Sequence, residues 1–439
     1  MVNVKNQAAS SEYHVSTLAN GLRVVTVEMP HLHSAEMMCY VGVGSRNEEE
    51  HLAGISHFLE HMIFRGTAEY PTSLQLEQAF EAIGGAVNAS TDTEGTCYHS
   101  RLHPDCIAAG ASLFASMLLR PRLTDVEVER RIILEEALED LNERGEMIAP
   151  DNLTAQLLWP GHPLSRPTIG CRDTISAITP ADLRAYHRRY YHPGNTVIAV
   201  AGRVRHASVL AAVDEAFAGW KAADLLPCLP VSTAAEENQP VSIWIKDSDS
   251  QINLQLAFRL PGRHAREVAS LRVLRAVLSW GGASRLMLRL REMKGLTYNV
   301  EANLTLLDDC GCLTVDLAVA PDNLTAAVEE LLLIFEELCQ VPVGEEELRR
   351  VVQSYLFALD FSRDHTDDLA TRYGWGELVG CVRTLAEDRR EMQSVQAAEL
   401  MESAAAFFTP GALKLAVVGP YRARDRKAVE KMLSRYRRG

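Results

Sequence analysis

The 439-residue sequence has no long apolar run. Stretches such as LLLIF at 331–335 are cut off by Glu336 and Glu337, well short of the roughly 18–20 residues a bilayer span requires. No membrane span or membrane partner is therefore expected. Positive charge is in deficit, with 44 Lys and Arg against 58 Asp and Glu and a formal charge of −14. That balance argues against broad contact with phosphate backbones or anionic lipid, so no nucleic-acid partner is expected. The start, MVNVKNQAASSEY, lacks the basic and apolar regions of a secretory signal and the Arg-rich pattern of a transit peptide, so a cytoplasmic location is expected. No Cys-x-x-Cys pair occurs among the 9 cysteines, and Cys310 and Cys312 alternate along an apparent strand. They read as reduced, mostly buried thiols. The glycines of VGVGSR lack a following Gly-Lys-Ser/Thr, so they mark a turn and not a phosphate loop.

What is present is an ordinary globular balance, 47% hydrophobic and 23% charged, in a chain long enough for two to four domains. An internal repeat organises it. YHPGNTVIAVAG at 191–202 returns as FTPGALKLAVVG at 408–419, with prolines and terminal glycines displaced by 217 residues. Leu183 falls on Leu400 at the same offset, and AVDEAF returns as AVEKML one residue early. Two homologous halves are therefore expected, 1–221 and 241–439. Between them, 222–240 is rich in proline and small polar residues and reads as a linker. Period-2 or short apolar segments (LRVVTVEM, MMCYVGVG, TCYHSRL, TVIAVAG, INLQLAF, LTYNVEANLTL, CLTVDLAV) mix with helical spacing at 74–83, 125–141, 326–338 and 345–359. The expected class is α+β, each half a largely antiparallel sheet packed with helices.

The chemistry concentrates in ISHFLEHMIFRGT. With no helix breaker from 55 to 65, His57 and His61 stand four apart and Glu60 three from His57, which puts two imidazoles and a carboxylate on one helical face. Such a pair of imidazoles can hold zinc, and the carboxylate beside them can take a proton from a zinc-activated water, in the order His-x-x-Glu-His. A solvated polar face is the competing reading of these five residues.

A zinc site needs a third protein ligand. Residues 124–144 read as one helix, opened by a Thr124/Glu127 capping box and ended at Gly145, with Ile132 and Ile133 buried between Glu129 and Glu136. Carboxylates on an apolar stripe are unusual. Glu135 points about 100° from Glu136 and reads as a solvated neighbour. Taken alone, Glu136 is equally an acid at the margin of an acidic helix.

These residues resemble the pitrilysin-like zinc peptidases, the family of mitochondrial processing peptidase and insulin-degrading enzyme. Glu136 follows His61 by 75 residues and Glu129 precedes Glu136 by seven, as in the family pattern. The resemblance implies one zinc per chain held by His57, His61 and Glu136, with Glu60 as base and Glu129 supporting the site. LANGLRVV, VGVGSRNE, AIGGAVNASTDTEGTCY and WPGHPLSRPTIG look like further family landmarks. WGGASRLMLRLREMKGLTYNV resembles the segment whose Arg and Tyr, here Arg291 and Tyr298, reach the active site from the C-terminal half and hold substrate. From the residues alone, Arg291 is a helix-end arginine and Tyr298 a half-buried strand tyrosine. The resemblance also implies strand addition of substrate near Asn88 and Ala89, although Asn88 equally suits a turn after Gly84 and Gly85.

At the 217-residue offset the motif positions become Leu274, Val277 and Leu278, so one half is expected to be catalytic and the other a degenerate copy. The implied function is a zinc metalloendopeptidase acting on extended or unfolded polypeptides. It is expected to work as a homodimer or as a heterodimer with a related chain. The alternative is a non-catalytic or partner-dependent subunit of a heteromeric peptidase.

Overall fold

The computed structural model describes residues 12–224, 228–231 and 241–436. The expectations placed on the chain start, and on 225–227 and 232–240 of the linker, lie outside the described residues.

Two sheets form. The first contains β1 (His14–Thr17), β2 (Arg23–Glu28), β3 (Ala35–Val41), β4 (Val87–Thr91), β5 (Thr96–Leu102) and β6 (Thr196–Gly202), in the order β1-β2-β6-β3-β5-β4. The second contains β7 (Ser242–Ile245), β8 (Ile252–Pro261), β9 (Thr297–Leu306), β10 (Cys310–Val319) and β11 (Leu413–Val418), in the order β7-β11-β8-β10-β9. All neighbouring pairs are antiparallel except β2–β6 and β7–β11. The expected class of sheet-plus-helix halves is what forms.

From β2 onward the two orders coincide, and the repeated segments supply β6 and β11. Gly202 (φ 141°) and Gly419 (φ 137°) close these strands in the same left-handed conformation. A Cβ on Gly202 would lie 2.5 Å from Cα of Ala35, and one on Gly419 would lie 2.9 Å from Cα of Ile252. Ala35 and Ile252 open β3 and β8 and are themselves one repeat apart. Only glycine suits both the conformation and the approach.

Both repeat strands are buried on two faces, which is why they read as apolar runs instead of alternating. In the first unit, Ile198 and Val200 share a core with the helices Ile107–Leu119 and His206–Phe217. Val197, Ala199 and Ala201 face Leu369, Ala370 and Tyr373 of the helix Thr366–Leu378. In the second unit, Leu415 and Val417 join a core with the helices Val268–Ser279 and Leu324–Gln340, while Ala416 and Val418 pack on Leu153 of the helix Pro150–Leu158.

The compact units consequently differ from the linear division 1–221 and 241–439. One comprises Met1–Ala137, Arg166–Leu229 and Asp360–Leu385; the other comprises Leu138–Ser165, Pro230–Leu359 and Ala386–Gly439. The covering helices are equivalent under the 217-residue repeat, since 150–158 maps onto 367–375. Each homologous copy thus lends the same helix to the other's sheet, because a sheet with two apolar faces must cover both. Gly374 lets the lent helix approach closely: a Cβ there would lie 2.5 Å from Cβ of Ala199.

Four local expectations are corrected. The helix expected over 124–144 spans only Val126–Glu136. Beyond it the chain turns at 142–145, where Asn142 Oδ1 accepts from the backbone N–H groups of Arg144 (3.0 Å) and Glu146 (2.9 Å), a local bond that competes with helix. No Thr124/Glu127 capping box forms; the N-cap is Asp125, with a left-handed φ of 62°. Of the two isoleucines only Ile133 is buried, and Ile132 is 46% exposed. The cysteines form no disulfide among the described residues; Cys39, Cys310, Cys312 and Cys339 are buried, but Cys171 and Cys228 are exposed.

Candidate metal centre

The helix Ile55–Ile63 buries Phe58, Leu59 and Met62 completely and turns His57, Glu60 and His61 to its other face. The helix Val126–Glu136 packs against it, anchored by Val126 and Ile133, and contributes buried Glu129 and, as its last residue, Glu136. Glu129, Ile133 and Glu136 stand on one face because their spacings are four and three residues.

His57 Nε2 lies 3.6 Å from Glu136 Oε1, and His61 Nε2 lies 3.6 Å from Glu136 Oε2. These separations are slightly longer than a hydrogen bond. One ligand atom from each lies within 4.8 Å of the others. Donors about 2.0–2.1 Å from one tetrahedral zinc ion would stand about 3.4 Å apart, close to the two separations of 3.6 Å. The residues fit the group on a second count. Burial, then the neighbouring His61, pushes the His57 imidazole down to about 4, so it is neutral and offers a lone pair.

His61 is aimed by side chains behind it. Its Nδ1 lies 3.1 Å from Glu129 Oε2, while Arg65 Nε lies 3.0 Å from Glu129 Oε1. Nδ1–H donating to that carboxylate leaves the Nε2 lone pair facing Glu136. Burial pulls the His61 pKa down, but the bond to Glu129 and the carboxylates of Glu60, Glu129 and Glu136 outweigh it, and the net shift is upward. Glu60 is also buried. Burial raises its pKa against the opposing hydrogen bond from Thr91 Oγ1, which donates to Glu60 Oε2 at 2.5 Å.

Thr91 ends β4, the edge strand of its sheet, which among the described residues pairs only with β5. Ala89 shares the face of Thr91, while Asn88 projects to the opposite, exposed face. If Asn88 meets an added strand, it does so through its backbone. In the other unit, Arg291 sits in the π-helical stretch Met287–Met293, with its guanidinium carbon 5.0 Å from the ring centroid of Tyr298. The register of β9 on β10 shifts between Leu317 and Val319, opposite Tyr298, which is 82% exposed and not half-buried. A bulge of this kind re-aims side chains.

Arg65 and Thr91 were not singled out from the sequence. Arg65 follows His61 at helical spacing and Thr91 follows Ala89 at strand spacing, but neither type is chemical by itself. Leu274, Val277 and Leu278, the repeat equivalents of the motif, are all buried in the core of the second unit.

The convergent donor set is one that could hold a metal ion. Residues 23–172 match the insulinase (peptidase family M16) model, and residues 177–355 match that of the peptidase M16 inactive domain. The chain belongs to the M16 peptidase family. It is 32% identical over 412 residues to an uncharacterized zinc protease of Mycobacterium tuberculosis, covering 92% of this chain and 93% of that one. It is 30% identical to the uncharacterized zinc protease YmxG of Bacillus subtilis, covering 92% and 97%. Among solved structures, a protease from Helicobacter pylori superposes with TM-score 0.83 at 22% identity, covering 93% of this chain and 99% of that one. The periplasmic protease PqqL of Escherichia coli gives 0.76 at 20% identity, with 99% of this chain matching 51% of that one. No helix among the described residues is long and apolar enough to cross a membrane.

Proposed function

We propose that the protein is a zinc metalloendopeptidase cutting extended polypeptides, with one zinc held by His57, His61 and Glu136. The convergence of their three ligand atoms within 4.8 Å, beside Glu60 on the same helix, carries this reading. Zinc bound there would supply Lewis acidity, polarising the scissile carbonyl and making water acidic enough to be deprotonated near neutral pH.

Glu60 accepts a proton from the attacking water as oxygen adds to the carbonyl carbon. It returns that proton to the amide nitrogen as the C–N bond breaks. Thr91 engages Oε2, which assigns proton uptake to Oε1. The buried setting that raises the Glu60 pKa makes its carboxylate a stronger base. Glu129 and Arg65 keep His61 in the tautomer whose Nε2 donates to a metal. The open edge of β4 suits backbone pairing with an extended substrate. For Arg291 and Tyr298, a substrate-holding role rests on the family resemblance alone, as does assembly of two chains, which sizing of the active species would test.

Cleavage of a mixed peptide pool by the zinc-loaded protein, beside its Glu60→Gln variant, tests the reading. The wild type should cut, and the variant should keep its metal while losing about 10²–10⁴ in rate. Equal cutting by both would refute the assignment of the base.

A further inference from the structure

The two imidazoles are held differently. His61 has Glu129 behind its Nδ1, whereas buried His57 Nδ1 has no hydrogen-bond partner among the described residues. With no side chain holding Nδ1, the helix backbone and the edge-on ring of His61, 4.6 Å away, set the direction of His57. That backbone begins unusually: the N-cap is Gly54, at φ 94°, with no capping side chain. A Cβ there would lie 2.4 Å from the carbonyl oxygen of Ile169, so no other residue could supply a cap from this position.

The missing cap comes from six and eight residues earlier. Glu48 Oε2 accepts from Gly54 N–H at 2.7 Å and Oε1 accepts from Ser56 N–H at 2.8 Å. Both oxygens of one buried carboxylate are thus committed to the first turn of the metal-ligand helix. Ser56 is further pinned by its hydroxyl, 2.8 Å from the phenol of buried Tyr186. Ser56 is the residue before His57, so holding its amide holds the origin of the His57 side chain.

We propose that Glu48 is a positioning residue for the metal centre, aiming His57 through the backbone of Gly54 and Ser56 as Glu129 aims His61 through its ring. The inference rests on the proposed zinc site. Glu48 touches neither substrate nor metal. Removing the carboxylate frees the first turn, and one of two imidazoles loses its fixed direction while the other keeps it. Supports of metal ligands typically change affinity by 10–100-fold when removed.

The full-length protein tests this with Glu48→Gln, which keeps the shape but has one acceptor in place of two, and with Glu48→Asp, which keeps the charge but is shorter. Zinc affinity is measured by chelator competition, and coordination by the visible spectrum of the Co²⁺-loaded protein. Glu48→Gln should bind zinc about 10–100-fold more weakly, with altered Co²⁺ bands, and Glu48→Asp should fall between it and wild type. Wild-type affinity and spectrum in Glu48→Gln would overturn the inference. Should Glu48→Gln fail to fold, Glu48→Asp decides on the same readouts. Wild-type protein that takes up no zinc would instead sink the metal-site reading itself, which separates the two failures. A merely structural cap would lower the unfolding midpoint and leave the Co²⁺ spectrum of the folded fraction unchanged.

Discussion

Glu129 Oε2 stands 3.1 Å from His61 Nδ1, from a carboxylate whose other oxygen lies 3.0 Å from Arg65 Nε. Engaging one nitrogen of a histidine fixes the direction of the other, and here a half-buried ion pair does so for His61. Glu129→Gln should therefore weaken zinc binding by about 10–100-fold while leaving the ligand set intact. Chelator competition checks this; an unchanged affinity would make Glu129 a bystander.

Thr91 makes a similar claim about Glu60. Thr91→Val removes the hydroxyl that holds Glu60 Oε2 and keeps the shape of the residue. Bonds to charged groups contribute about 1.5–3 kcal/mol, so kcat should fall roughly tenfold or more, with little change in KM. A change confined to KM would place Thr91 in substrate binding instead.

Metal binding should be visible in stability. A ligand that binds only the native state adds about 2.7 kcal/mol at a free concentration of 100 times its Kd. Zinc should raise the thermal midpoint of the wild type and chelation should reverse it, while His61→Ala should show no zinc-dependent shift. A zinc shift that survives in His61→Ala would locate the ion elsewhere.

Burial lifts the Glu48 carboxyl to about 7, even though the N–H groups of Gly54 and Ser56 hold its anion. The folded-state value thus lies above the unfolded one, about 4.3. For such a group the stabilising contribution is complete below the unfolded pKa and is lost as pH rises through about 7. Of its neighbours, burial pushes the Tyr186 phenol above its usual range, so it does not titrate in this window. Denaturant titrations of metal-free protein should show wild type losing a few kcal/mol relative to Glu48→Gln between pH 5 and pH 8. A pH-independent difference would contradict this.

Gly202 and Gly419 should fail alike. Ala at either position meets backbone and also requires a left-handed φ, so each substitution should cost more than about 2 kcal/mol in chemical denaturation. Gly145, with φ 75° and nothing within 4 Å of its Cβ position, should cost only about 1 kcal/mol when changed to Ala. Equal costs at all three would mean that conformation alone matters.

Local spacing alone determined a good deal. Helical period placed His57, Glu60 and His61 on one face, period 2 and apolar runs marked most strands, and the 217-residue repeat announced two equivalent sheets. These properties depend on neighbours along the chain, so they can be read from the chain. The early end of the Val126–Glu136 helix could not be read from it, because a hydrogen-bonded turn at Asn142 competes with the helical pattern. The exchange of the helices Pro150–Leu158 and Thr366–Leu378 was equally hidden, since an amphipathic face does not say which sheet it will cover. Tertiary structure also decided what holds the site: Arg65 on Glu129, Thr91 on Glu60 and Glu48 on the first turn of the His57 helix. Those partners depend on which groups folding brings within about 3 Å, and no periodicity along the sequence records that.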